Sequence, residues 1–178
     1  METRTRRSVS RNRKKSAVPL SKLRTSQAVK TVVDHPRRLE ELVSLLEDKD
    51  RTVRSRAAAA LARLSESHPG RLFRILERVK ECLSDDSAYV RWHLAYTLGR
   101  LGVCFPNRSS RLVGELGARL DDENRIVRVF ASHALAQIAE RKPELIRELF
   151  EATKRQTPAP VARVLHKYAR GSPKKHKP

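Results

Sequence analysis

Three stretches of this chain repeat one another without a gap at a spacing of 37 residues. That register constrains the fold more than any other feature, because a short unit recurring in line must bury its apolar side against its neighbours. The stretches are DKDRTVRSRAAAALARL from Asp48, DDSAYVRWHLAYTLGRL from Asp85 and DENRIVRVFASHALAQI from Asp122. Val53, Val90 and Val127 share one column, and Arg54, Arg91 and Arg128 share the next. Leu61, Leu98 and Leu135 align, as do Leu64, Leu101 and Ile138, and Pro69, Pro106 and Pro143 keep the same period.

Each unit reads as a pair of helices. In the second unit Leu72, Ile75, Leu76, Val79 and Leu83 recur at helical spacing and predict a first helix. Ser84 to Ser87 form a turn rich in capping oxygens, and a second helix follows with Val90, Leu94, Thr97, Leu98 and Leu101 on one face. Pro106 or its neighbours end the unit. His35-Pro36 opens the first unit, and Leu20 to Val33 can supply one preceding helix. At the other end Pro143 to Lys154 predicts a first helix. Its partner, Val161 to Ala169, is degenerate and follows Thr157-Pro158-Ala159-Pro160.

Charge divides the 178 residues into a body and two arms. Residues 31–153 hold 21 Lys/Arg against 19 Asp/Glu, so most of the formal net charge of +19 lies outside them. Residues 1–18 and 171–178 have the composition of disordered basic tails, leaving 19–170 for the repeats. Arg4, Arg6, Arg7, Arg11, Arg13, Lys14 and Lys15 at one end, with Lys174, Lys175 and Lys177 at the other, are candidate nucleic-acid contacts. Only 4% of residues are aromatic, which predicts a core of Ala, Leu and Val rather than of rings. Cys82 and Cys104 lack metal-ligand spacing and read as structural residues. No apolar run approaches the roughly 20 residues of a membrane span. The N-terminus lacks the apolar stretch of a secretory signal, although its Arg/Ser-rich, acid-poor composition also fits an organellar transit peptide. The expected location is the cytoplasm.

The phrase Asp, five residues, Arg, with Val just before the Arg and an Ala/Leu-rich helix after it, resembles the HEAT repeat over about residues 36–154. It is most similar to the short bacterial PBS-lyase-like form. The resemblance implies an all-α fold: a right-handed α-solenoid of three to four helix pairs with a short N-terminal capping helix. It carries over no cofactor or metal site. It also implies that the Asp and Arg columns form a structural ladder of ion pairs and hydrogen bonds along the stack. Its members are Asp48, Arg54, Asp85, Arg91, Asp122 and Arg128, and Asp85 is the expected partner of Arg91. The Asp pairs at 85–86 and 121–122 read as helix caps rather than catalytic acids. No Ser, His and Asp set is arranged as a triad.

A rotation of 100° per residue places Val53, Ala57, Ala60, Leu61 and Leu64 toward the core. The opposite columns, 55, 59, 62 and 63 with 56 at the margin, are then expected to be exposed. In HEAT-like stacks this side is normally the concave one. It predicts a partner-binding surface of Trp92, Tyr96, Arg100, Arg63, Arg56, His93 and His133. Trp92 is the informative residue, either a ring packed against a neighbouring helix or an anchor in a groove. The expected function is a non-catalytic binding scaffold that uses no cofactor, membrane or small-molecule substrate. Its expected partner is nucleic acid or a nucleoprotein particle, with an acidic protein as the alternative. A third reading, a helical-repeat DNA glycosylase of the alkylpurine type, rests on architecture alone.

Overall fold

The computed structural model describes residues 18–170, so the tail positions Arg4 to Lys15 and Lys174 to Lys177 lie outside the described residues. The described residues form helices and turns with no strand. Helix α1 (Thr25–Asp34) caps one end. Three helix pairs follow: α2 (Leu39–Ser44) with α3 (Arg51–Ser67); α4 (Pro69–Leu72) and α5 (Leu76–Glu81) with α6 (Ala88–Cys104); and α7 (Ser110–Ala118) with α8 (Arg125–Ala139). A last pair, α9 (Pro143–Thr153) and α10 (Ala159–Arg170), closes the stack. The long second helices lie side by side in the order α1, α3, α6, α8, α10. The architecture is an all-α solenoid.

The local chemistry repeats with the sequence. Pro36, Pro69, Pro106 and Pro143 occupy the first position of a helical turn, where a missing N–H costs nothing. Pro106 therefore begins the next unit rather than ending its own. The residue before each proline leaves the helical region, at φ near −130° to −140° for His35, His68 and Lys142 and −128° for Phe105. Each of the three first helices that precede the ladder turns finishes in a 3-10 turn, followed by Asp48, Asp85 or Asp122 in extended backbone. These aspartates accept the N–H two residues on, at Asp50 (2.8 Å), Ser87 (2.7 Å) and Asn124 (2.9 Å). The N-cap positions are thus 50, 87 and 124, rather than the Asp pairs at 85–86 and 121–122. Asp50 and Asn124 cap with their side chains, and Ser87 does not.

The arginine ladder differs from its expected wiring. Arg91 does not pair with the Asp85 carboxylate six residues back. Its Nε and Nη2 grip the two oxygens of Asp122 in the next repeat, both at 2.8 Å, and Nη2 also reaches Glu123 at 3.1 Å. Its Nη1 donates to the backbone carbonyls of Asp85 and Asp86. Arg54 repeats the arrangement, with Nη1 on the carbonyls of Asp48 and Lys49, and Nε 2.7 Å from Asp85, while Nη2 meets Asp85 and Asp86. Arg54 and Arg91 therefore each fasten their own inter-helix turn with one nitrogen and the following repeat with the other two. A fork of this geometry fixes both spacing and rotation between neighbours.

The core is a continuous run of Leu, Ala, Val and Ile, with Phe150 as its one fully packed ring among the described residues. Leu20 is buried ahead of α1, and its backbone N–H donates to Glu41. Cys82 is half-buried and Cys104 exposed, both as free thiols.

Candidate binding surface on the second helices

The second helices are buried on more sides than the rotation argument allows, because each packs against the first helix of its own unit and against two neighbouring second helices. Ala59, Ala62, Gly99 and Ala136, expected on the exposed face, are all buried. Small side chains let α3, α6 and α8 approach closely there. The exposed strip that remains is narrower and is made by the larger residues beside these small ones.

On that strip lies a groove of about 380 Å³, whose walls include Thr25, Arg63, Glu66, Tyr89, Trp92, Tyr96 and Phe130. Four of the chain's eight aromatic residues meet in it. Trp92 stacks on Phe130 of the next second helix at 4.6 Å and on His93 at 3.4 Å. Tyr89 meets the edge of Trp92 at 5.4 Å, and Tyr96 meets Phe130 at 6.1 Å. Trp92 is half-buried: its ring bridges α6 and α8, and part of it stays accessible in the groove. Tyr89, one turn before His93 on α6, is 46% exposed and supplies the open aromatic surface. The Tyr96 hydroxyl donates to Glu66 at 2.7 Å, and Arg63 lies exposed on the same wall.

The other expected surface residues divide. His93 lines the groove but is only 7% exposed, and its Nδ1 donates to the Tyr89 carbonyl at 2.8 Å. Burial lowers its pKa, against a smaller upward pull from that hydrogen bond, so it is a neutral packing residue rather than a surface cation. Arg100 is half-buried and its Nε is enclosed without a hydrogen-bond partner. Arg56 is exposed but faces a small hollow near Leu20 and Leu23 at the N-terminal cap. His133 is exposed in a separate cleft at the C-terminal end, beside Arg125, Arg128 and Arg155. Sequence reasoning omitted Tyr89 and Glu66 from the surface and left Phe130, at the margin of the exposed columns, out of the binding set. For Tyr89 and Phe130 the signal is the recurrence of rings on adjacent columns of consecutive repeats.

Asp85 and Asp122 carry guanidinium partners and sit in inter-helix turns. No group of three His, Cys, Asp or Glu residues able to hold a metal occurs among the described residues. No helix among them is long and apolar enough to cross a membrane.

A stack of this kind, with an aromatic groove on its second helices, defines a helical-repeat solenoid. Residues 39–107 match the family described as HEAT repeats. The solved structure of a designed armadillo repeat protein in complex with the peptide (KR)4 is similar at a TM-score of 0.57 and 19% identity. The alignment covers 87% of this chain and 65% of that one, so this chain spans under two thirds of that structure's length. No curated protein matches the sequence.

Proposed function

We propose that this chain is a HEAT-repeat scaffold of the short PBS-lyase-like type that associates with nucleic acid or a nucleoprotein particle. The aromatic groove is its stacking surface, and the basic arms supply sequence-independent attraction. The observation that carries this reading is the joining of Tyr89, Trp92, Tyr96 and Phe130 in one groove with Arg63 on its wall. Rings with an adjacent guanidinium suit unpaired bases, because every base offers a π-face. Charge points the same way. Residues 18–170 carry 29 Lys/Arg against 19 Asp/Glu, and the rest of the chain adds ten against one.

A protein partner is the second reading, and Glu66 favours it, because a carboxylate on the groove wall repels phosphate. The designed armadillo neighbour holds the basic peptide (KR)4, whereas a chain at +19 selects an acidic partner. Recovery of the protein from cells with and without nuclease treatment separates the two readings. Partners that vanish with nuclease support nucleic acid, and partners retained in full support protein.

Tyr89→Ala should weaken binding to a single-stranded oligonucleotide by about 1–3 kcal/mol. The same change should cost under about 1 kcal/mol of stability, since nearly half of the ring faces solvent. Fluorescence anisotropy and a thermal melt read the two effects, and unchanged affinity would remove the groove from the site. Deleting residues 1–18 and 171–178 should leave far-UV circular dichroism nearly unchanged. It should also flatten the salt dependence of binding, because each phosphate contact contributes about 0.7 to the log–log slope on single strands and about 0.9 on duplex. A truncated chain with the full-length slope would place all the ionic contacts on the repeats.

A further inference from the structure

We propose that the cleft at the C-terminal end of the stack binds a carboxylate side chain of a partner polypeptide on the open edge of Arg128. The inference is independent of the aromatic groove and concerns different residues. Arg128 is the third member of the ladder. Its Nη1 donates to the carbonyls of Asp122 and Glu123 at 2.6 and 2.9 Å, the same anchoring that Arg54 and Arg91 make in their own turns. In those two rungs the Nε and Nη2 edge takes the carboxylate of the aspartate 31 residues on. The residue 31 places beyond Arg128 is Ala159, which has no side-chain acceptor. Among the described residues no carboxylate pairs with Arg128. The guanidinium is therefore held in the ladder's orientation with its carboxylate-binding edge unfilled.

Space and charge agree with that vacant edge. Arg128 lines a cleft of about 520 Å³ together with Arg125, Ser132, His133 and Arg155. The one carboxylate in its walls, Asp121, is already paired with Arg155 at 2.8 Å. Arg125 is exposed and adds a second cation. Ser132 is 6% exposed, and its hydroxyl has no hydrogen-bond partner. The same column holds Ala58 and Ala95 in the earlier repeats, so the hydroxyl occurs only where the cleft does. The two filled rungs specify the ligand chemistry, because the same fork with the same anchoring holds an aspartate in an inter-helix turn. Asp121 at the wall adds a repulsion that grows with ligand charge and disfavours a phosphate dianion relative to a single carboxylate.

The test is a titration of the full ¹⁵N-labelled chain with the acetylated, amidated peptide LSDDSAYV, the sequence of the turn that Arg54 grips. The control peptide is LSNNSAYV, and inorganic phosphate at constant ionic strength is the competitor. The Asp peptide should shift the Arg128 Nε–H resonance saturably, and the Asn peptide should bind at least about tenfold more weakly. Arg128→Lys keeps the charge and loses the fork, so it should weaken the Asp peptide by about the same factor. If that variant does not fold, Arg125→Gln, at an exposed position, should still weaken binding several-fold. Equal binding of the two peptides, or undiminished binding in the folded variants, overturns the proposal. Displacement of the peptide by an equal or lower concentration of phosphate also overturns it, and would make the cleft a free-anion site.

Discussion

Arg91→Ala is expected to lose about 3–5 kcal/mol of folding stability, the largest single-residue loss on the ladder. The Arg91 and Asp122 side chains are only 6% and 3% exposed, and removing the guanidinium leaves a buried carboxylate. What would remain for Asp122 is the Asn124 N–H at 2.9 Å and a distant Arg119 at 3.8 Å. Two carbonyl acceptors in the 85–86 turn are stripped as well. Arg54→Ala should cost less, because Arg54 and Asp85 are more exposed, at 12% and 8%. Arg128→Ala should cost least, since it breaks no ion pair among the described residues. Chemical denaturation of the three variants gives the order, and equal losses would show that the carbonyl bonds, not the carboxylates, carry the energy. The pair also sets an acid limit. Burial pushes the Asp122 carboxyl up, but the Arg91 and Asn124 hydrogen bonds outweigh it and hold the carboxyl below its ordinary value. A carboxyl depressed in the folded state contributes stability above its unfolded pKa, about 3.9, and loses it as pH falls through the lower folded value. The melting temperature should therefore drop below about pH 4, with a shallower drop in Asp122→Asn. An identical acid limb in that variant would assign the effect to other carboxyls.

The fold was legible because it is written in buried columns. Leu61, Leu98 and Leu135 must be apolar in every unit, and the prolines and turn aspartates punctuate the units at the same interval. Which aspartate an arginine reaches was not legible. Six residues back lies a carbonyl bonded to the guanidinium, and the carboxylate comes from 31 residues ahead, so proximity in sequence selected the right turn and the wrong group. The exposed face was misjudged for a related reason. A single helix has one buried side, whereas a second helix inside a stack has three. Ala62, Gly99 and Ala136 are small because another helix lies against them, and smallness on consecutive repeats is the sequence signal of that contact. Trp92 and Tyr96 reach the groove because they are large residues flanking those small ones. His93, on the same turn, is drawn inward to the Tyr89 carbonyl.

The close approach of α6 and α8 makes a sharper demand at Gly99 than at Gly102. A Cβ built on Gly99 would lie 2.6 Å from the Cβ and 2.8 Å from the Cα of Ala134, and the backbone of α8 cannot rotate out of the way. At Gly102 the Cβ would meet Cγ1 and Cδ1 of the buried, β-branched Ile138 at 2.6 and 2.7 Å, so a side chain rather than backbone must give. Alanine gains about 1 kcal/mol over glycine inside a helix at either site. Gly102→Ala should therefore lose less stability than Gly99→Ala, because only the Ile138 side chain has to give. Gly99→Ala should show a net loss of about 1–3 kcal/mol, because overpacking against backbone outweighs the propensity gain. The loss at Gly99 should also reach the groove. The ring stack of Trp92 on Phe130 spans the same two helices, so forcing them apart loosens the aromatic surface from below. Trp92 fluorescence and near-UV circular dichroism should change in Gly99→Ala and not in Gly102→Ala. Equal stability in the two variants would mean that α8 can shift without cost and that the helix spacing does not set the groove.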